Sequence, residues 1–383
     1  MVVVSGVLLF GAIAAPLSRR LSGAAHTTTE ADLFLGFASA DSLPTAFREN
    51  PPTTLPLPTT DPTTTNPPMT ISPTTDSATT TSPPTTSGPD TTAGTTPTTT
   101  ASTIAGSTTT TARPPPASNE LWAMGDIADC GGNHNDDDVG HMLAATVGVV
   151  ATLGDTAYPT SSTQDFTQCF DPAWGPIKAR IRPTLGNNEY HQPGAQGYFD
   201  YFGAAAGERG KGWYSYDVGT WHVIVLNTLC AEVGGCGAAS PQGQWLAADL
   251  AAHPTTCTAA MWHYPRFSSG YHGSITASQD FWQLLYDGGA DIVLSGHDHS
   301  YERFAPQNPK GGADPARGIR QFVAGTGGKS AYAFKQPLPN SQVRYSGAFG
   351  SLHLTLNDGS YSWQFVQTGG VGTLNDSGTD SCH

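Results

Sequence analysis

Charge is what this chain most conspicuously lacks. Only 13% of its 383 residues are Asp, Glu, Lys or Arg, against roughly 25% in an ordinary soluble domain. Its 17 Lys and Arg are outnumbered by 31 Asp and Glu, giving a formal net charge of −14, and the basic residues form no cluster. Nucleic-acid binding, which needs a concentrated basic footprint to displace counterions, is therefore not expected. An anionic ligand must be drawn in locally, and bound metal ions would supply the positive charge. A C-x-x-C pair is also missing, which disfavours a structural zinc site. The six cysteines, Cys130, Cys169, Cys230, Cys236, Cys257 and Cys382, form an even set of the kind that pairs into disulfides in an exported protein. Cys230 and Cys236 flank a short Gly-containing loop and are the clearest candidate bridge; the other pairings stay open. The apolar run from Val2 to Pro16 is shorter than the roughly 20 residues that span a bilayer. With Ala12-Ile13-Ala14 it reads as a signal peptide, although Arg19-Arg20 follow the apolar run instead of preceding it.

Composition divides the chain into three regions. Residues 1–50 are the targeting segment and its poorly patterned follow-on. Residues 51–117 are dominated by Thr, Pro and Ser. They hold too little apolar surface to offset the entropy of ordering, so a disordered, extended spacer is expected. Ser and Thr beside Pro also fit an O-glycosylated stalk, which would tether the protein at the cell surface. From residue 118 to 383 the pattern is that of a folded domain. Short β-like runs, Leu121 to Met124, Val147 to Leu153 and Asp291 to Leu294, lead into polar motifs, and loops after strand ends are where α/β sheets place their sites. Ser240-Pro241 predicts a capped helix start. Thr276-Ala277-Ser278-Gln279 predicts a capping box before a helix through Phe281, Leu284 and Leu285. Asp136-Asp137-Asp138 reads as the acidic first turn of a helix rather than a calcium loop. Leu352 to Leu356 and Tyr361 to Val366 predict a terminal hairpin. The mixture argues for an α/β layered sandwich.

Five motifs in the second half bring together metal-ligand chemistry. They are Gly125-Asp126, Gly154-Asp155-Thr156-Ala157-Tyr158, Gly186-Asn187-Asn188-Glu189, Trp262-His263 and Gly296-His297-Asp298-His299. Carboxylate, phenolate and amide oxygens with imidazoles suit a pair of borderline-to-hard cations, and two such ions can activate a water and clamp a phosphoryl group. Singly, most of these residues would be turn caps or core polar groups; their joint occurrence in one order carries the reading.

The five motifs resemble those of the calcineurin-like metallophosphoesterase superfamily, and Tyr158 makes the chain similar to its purple acid phosphatase branch from Trp122 to Val366. The resemblance implies an α-β-β-α sandwich. It also implies one metal on Asp126, Tyr158 and His299, a second on Asn187, His263 and His297, and Asp155 bridging both. A phenolate is a hard anionic donor, so Fe(III) is expected at the Tyr158 position and a divalent Zn, Fe or Mn at the other. His272 matches a position that contacts the substrate phosphate, alongside Asn187, and Tyr301-Glu302-Arg303 fits a supporting segment behind His299. The expected activity is hydrolysis of small phosphomonoesters by an exported enzyme. The alternatives are phosphodiester hydrolysis on the same metal core, or a weakly active or non-catalytic surface binding module.

One departure motivates that last alternative. The family's third motif carries His where this chain has Asn188, which can donate a hydrogen bond but delivers no proton. Asn188 at this catalytic position predicts preference for leaving groups that need no protonation, with His191, His134 and His272 as candidate substitutes. Gly328-Lys329-Ser330 imitates the end of a P-loop, but Val323 occupies the place of that motif's first Gly. A tight turn near the site is expected there instead. His222, His253 and His353 are given no role.

Overall fold

Every residue of the strands Trp221–Val225, Thr258–Met261, Ile292–Ser295 and Arg320–Ala324 is buried, as befits strands covered on both faces. They belong to a computed structural model that describes residues 118–132 and 134–383. The expected signal peptide and Thr/Pro spacer lie outside the described residues. In chain order the strands are β1 (Glu120–Met124), β2 (Ala128–Asp129), β3 (Val149–Thr152), β4 (Ala157–Tyr158), β5 (Ile181–Pro183), β6 (Tyr214–Val218), β7 (Trp221–Val225) and β8 (Thr258–Met261). They continue with β9 (Ile292–Ser295), β10 (Tyr301–Phe304), β11 (Arg320–Ala324), β12 (Ser341–Tyr345), β13 (Ala348–Asn357), β14 (Ser360–Gly370) and β15 (Ser377–Ser381). The α-helices between them are α1 (Asn135–Ala144), α2 (Thr163–Asp165), α3 (Asp171–Trp174), α4 (Gln196–Phe202), α5 (Pro241–Ala252) and α6 (Gln279–Asp287).

Two large sheets form, with strand orders β15-β14-β13-β1-β3-β5 and β12-β10-β11-β9-β8-β7-β6, and β2 pairs with β4 in a small third one. Strands β1, β3 and β5 run parallel in the first, and β7, β8, β9 and β11 in the second. Alternation along β1 sorts the layers. Leu121 and Ala123 join the core between the sheets, with Val223, Met261, Leu294 and Phe322. Trp122 and Met124 face outward, packed with Val139, Leu143 and Trp174 of α1 and α3. On the far side, Ile224 and Trp262 meet Leu246 of α5 and Trp282 and Leu285 of α6. The result is the expected α-β-β-α sandwich.

Ser240 caps α5 by accepting a 3.0 Å hydrogen bond from the Gly243 amide. The capping box expected at Thr276 does not form. Thr276–Ser278 is a 3-10 turn, α6 starts at Gln279, and the Gln279 side-chain Oε1 instead accepts from Arg266. The terminal hairpin extends to ten and eleven residues and gains β15 as a third strand. Disulfides join Cys230 to Cys236 as expected, and Cys130 to Cys169 and Cys257 to Cys382. The last ties the entry to β8 to the segment after β15. Among the described residues no helix is long and apolar enough to cross a membrane.

Candidate metal centre

All five motifs leave the C-terminal ends of parallel strands. Asp126 follows β1, Asp155 follows β3, Asn187 follows β5, His263 follows β8, and His297 and His299 follow β9. Pairing of Met124 with Thr152, and of Met261 with Leu294, brings these ends level. Asp126, Asp155 and His297 each follow a glycine and hold positive φ, at 59°, 51° and 72°. Such left-handed backbone at non-glycine residues costs of order 1–3 kcal/mol each and collects at functional sites. Close approach also explains Gly154, where a β-carbon would lie 2.6 Å from His263 Nδ1.

Around Tyr158 four donor atoms meet. Its hydroxyl lies 3.1 Å from Asp126 Oδ1, 3.0 Å from Asp155 Oδ2 and 3.2 Å from His299 Nε2, and His299 Nε2 is 3.2 Å from Asp126 Oδ1. One phenolic proton can satisfy only one of these neighbours. Separations of about 3 Å are those between ligands sharing an ion at about 2.0–2.2 Å. On the other side, His263 Nε2 is 3.1 Å from Asn187 Oδ1 and 3.4 Å from Asp155 Oδ1. His297 packs its ring 5.0 Å from that of His263, and its amide donates to Asp126 Oδ2. Asp155 thus faces both groups, and the donor set suits two cations. Another cluster, His222, Asp249 and His253, is closed internally, with both His222 ring nitrogens engaged by Asp217 and Asp249.

Outer contacts fix the donors. His263 Nδ1 points at the Leu153 carbonyl at 2.8 Å and His299 Nδ1 at Ser330 Oγ at 2.7 Å, which leaves Nε2 of each ring facing the cluster. Buried Glu189 accepts from the amides of Asp155, Thr156 and Gly186. Burial, and then the Asp155 charge, lifts the Glu189 carboxyl to about 7. Burial opposes charge on His263, but the Asp155 carboxylate outweighs it and raises the imidazole to about 9. His297 is pushed down to about 2 by burial and by neighbouring His263 and His272. Tyr158 is driven well above its ordinary value by burial and by Asp155 and Asp126. Ionising this phenol therefore calls for a cation.

Asn188 is buried and turned onto Asp155: its amide N–H donates to Oδ1 at 2.8 Å and its side-chain Nδ2 to Oδ2. His272 is partly exposed and stacks on His297 at 4.1 Å. Its main-chain N–H donates to Asp298 Oδ1, which also lies 3.1 Å from Nδ1. His191 bonds the Pro159 carbonyl and His134 pairs with Asp137, so neither reaches the cluster by hydrogen bonding. The supporting segment behind His299 differs from expectation. Tyr301 and Arg303 alternate toward the inter-sheet side and both hold Asp376, whereas Glu302 accepts from Ser269 in the loop that carries His272. Lys329 pairs with Asp129, and its neighbour Ser330 is the His299 anchor. Sequence reading gave no role to Glu189, Asp298, Ser330, or the rings of Tyr264 and Tyr332, which pack on His297 and His299 at 4.5 and 3.9 Å. Glu189 and Asp298 sit inside quoted motifs and could have been found by asking what holds each ligand; Ser330 and the two rings carried no such signal.

Residues 120–301 match the family model described as calcineurin-like phosphoesterase. Purple acid phosphatase 22 of Arabidopsis thaliana is 32% identical over 164 residues, covering 39% of this chain and 36% of that protein. Acid phosphatase A of Cryphonectria parasitica is 27% identical over 193 residues, covering 44% and 38%. The chain therefore spans well under half the length of these relatives. Among solved structures, a purple acid phosphatase isolated from yellow lupin (Lupinus luteus) seeds gives a TM-score of 0.59 at 19% identity, over 68% of this chain and 53% of that one. GAP50 of Plasmodium, described as the anchor in the inner membrane complex, gives 0.54 at 12% identity, over 69% and 89%. At these identities the structural likeness is one of fold.

Proposed function

We propose that this chain, a calcineurin-like phosphoesterase with a purple acid phosphatase-like motif set, hydrolyses phosphomonoesters with a pair of metal ions. The observation that carries the reading is the Tyr158 hydroxyl, 3.0–3.2 Å from Asp126, Asp155 and His299 at once. Asp126, Tyr158 and His299 would hold one ion, for which Fe(III) fits the phenolate. Asn187, His263 and His297 would hold a divalent Zn, Fe or Mn, with Asp155 between the two. When bound, such a pair supplies an activated water and neutralises charge on the phosphoryl group.

The chain's own residues do the rest. Glu189 and Asn188 fix Asp155 through hydrogen bonds. His272, oriented by Asp298 at the open side of the cluster, holds a phosphate oxygen, as does Asn187. Asn188 spends its amide on Asp155 and hands no proton to the departing oxygen, so esters with good leaving groups are favoured. Three disulfides support export to an oxidising compartment, with the Thr/Pro tract as spacer or surface tether.

The test is hydrolysis of p-nitrophenyl phosphate and of its bis ester, with metal content by mass spectrometry on the same sample. Two ions per chain with faster monoester turnover are expected. A faster bis-ester rate would make the chain a diesterase, two ions without turnover a binding module, and absence of metal would overturn the reading.

A further inference from the structure

Beside the cluster, on its His263 and His297 side, lies a cavity of about 300 Å³ lined by Leu229, Ala231, Glu232, Tyr264, Ile275 and Ala277, among others. Topology puts it there. Its first wall is the loop after β7 and its floor the loop after β8, two neighbouring parallel strands whose C-terminal ends face the same side as the metal ligands. Tyr264 is the shared partition: its ring packs 4.5 Å from His297 and 5.4 Å from His263, and it also lines the cavity.

The walls are fixed in place. The Cys230–Cys236 disulfide closes the first, and Leu229 N–H donates to Asn227 Oδ1 at 3.0 Å. The Tyr264 amide donates to Thr228 Oγ1 at 3.1 Å, linking floor to wall. The second wall is held where the Ile275 amide donates to the Pro265 carbonyl at 3.0 Å. The lining is mainly aliphatic and aromatic, and its charged side chain, Glu232, is acidic. A pocket of this size and composition suits a small apolar group and repels a second phosphate.

We propose that this cavity receives the leaving group of the substrate, and that the substrates are monophosphate esters of apolar alcohols or phenols. The proposal rests on the phosphoesterase reading for its location and on the cavity for its chemistry. It extends the consequence of Asn188, because the leaving group is selected by apolar burial as well as by its ability to depart unprotonated.

Ethyl, butyl and hexyl phosphate share leaving-group acidity and differ only in apolar length. On the full-length protein loaded with metal, kcat/KM should climb by about fourfold per methylene that enters the pocket. Calorimetric affinity for ethyl-, butyl- and hexylphosphonate, which cannot be hydrolysed, should climb in parallel. Ala277→Trp at the exposed rim should fill the cavity and bring the hexyl-to-ethyl ratio toward one in both series, and Ile275→Ser should lower it partway. A flat phosphonate series in the unmodified protein overturns the proposal, as does a gradient that survives both substitutions. If no ester turns over while the phosphonate gradient persists and collapses in Ala277→Trp, the pocket stands and the hydrolytic reading falls.

Discussion

On one side of Asp155 stand a carboxylate, a phenol and an imidazole; on the other stand an amide and two imidazoles. The first group is packed so that Tyr158, Asp126 and His299 contact one another directly, and its phenol resists ionisation through burial and two adjacent carboxylates. A strongly charged ion is the natural way to draw off that proton. The second group is electrically different. His297 is kept neutral, with its pKa near 2 through burial and neighbouring imidazoles, so it needs no deprotonation to serve as a ligand. The supports differ too. His299 leans on a side chain, Ser330, and His263 on a backbone carbonyl, Leu153. Under the proposed reading, donors suited to a trivalent ion and anchored on a side chain would face donors suited to a divalent ion and anchored on the backbone.

The largest effect is expected where the comparison breaks down altogether, at Asp155, whose two carboxylate oxygens face the two halves. Asp155→Asn should remove both ions and lower kcat/KM by more than the about 10–100-fold that loss of an outer hydrogen-bond partner costs. Retention of either ion at full occupancy would show that Asp155 does not bridge. Next come two substitutions that should separate the halves. Tyr158→Phe should abolish any phenolate-to-iron absorption in the visible range and deplete iron while sparing the divalent ion. His263→Ala should do the reverse. Equal loss of both ions in both variants, measured by mass spectrometry, would erase the distinction between the halves. A smaller effect, about 10–100-fold in metal affinity or turnover, is expected for Glu189→Gln. That change keeps the volume but breaks the acceptor set for the Asp155, Thr156 and Gly186 amides.

The same contrast explains what could be read from the sequence. Asp126, Asp155, His263 and His299 were legible because each sits at the end of an apolar run, beside Gly or between polar neighbours, and strand ends are where a parallel sheet presents its chemistry. The sandwich followed from those runs and the helices between them. What stayed hidden depends on contacts distant in sequence. Ser330 reaches back 31 residues to His299, and Glu302 reaches back 33 to the Ser269 loop. Tyr301 and Arg303 seemed from their position to serve His299, but period-2 alternation turns them to Asp376, more than 70 residues away. The capping box at Thr276 failed for a related reason: a local pattern lost its Gln279 to a tertiary partner, Arg266.

The smallest predicted change bears on Asn188, which lies against Asp155 and so belongs to neither half. Its two donors both go to Asp155, so it acts as a clamp where the family has a His able to deliver a proton. Asn188→His removes the side-chain bond to Asp155 and supplies an acid, two effects of opposite sign. The first weakens the site for every ester alike. The second, worth up to about 10²–10⁴-fold where protonation limits departure, helps only poor leaving groups. The ratio of alkyl to aryl phosphate turnover separates them, because the common loss cancels. A rise of about tenfold or more in that ratio is expected, even if the aryl rate itself falls. An unchanged ratio would mean that proton delivery comes from elsewhere, with His272, held by Asp298 at the open side of the cluster, as the side chain to replace next.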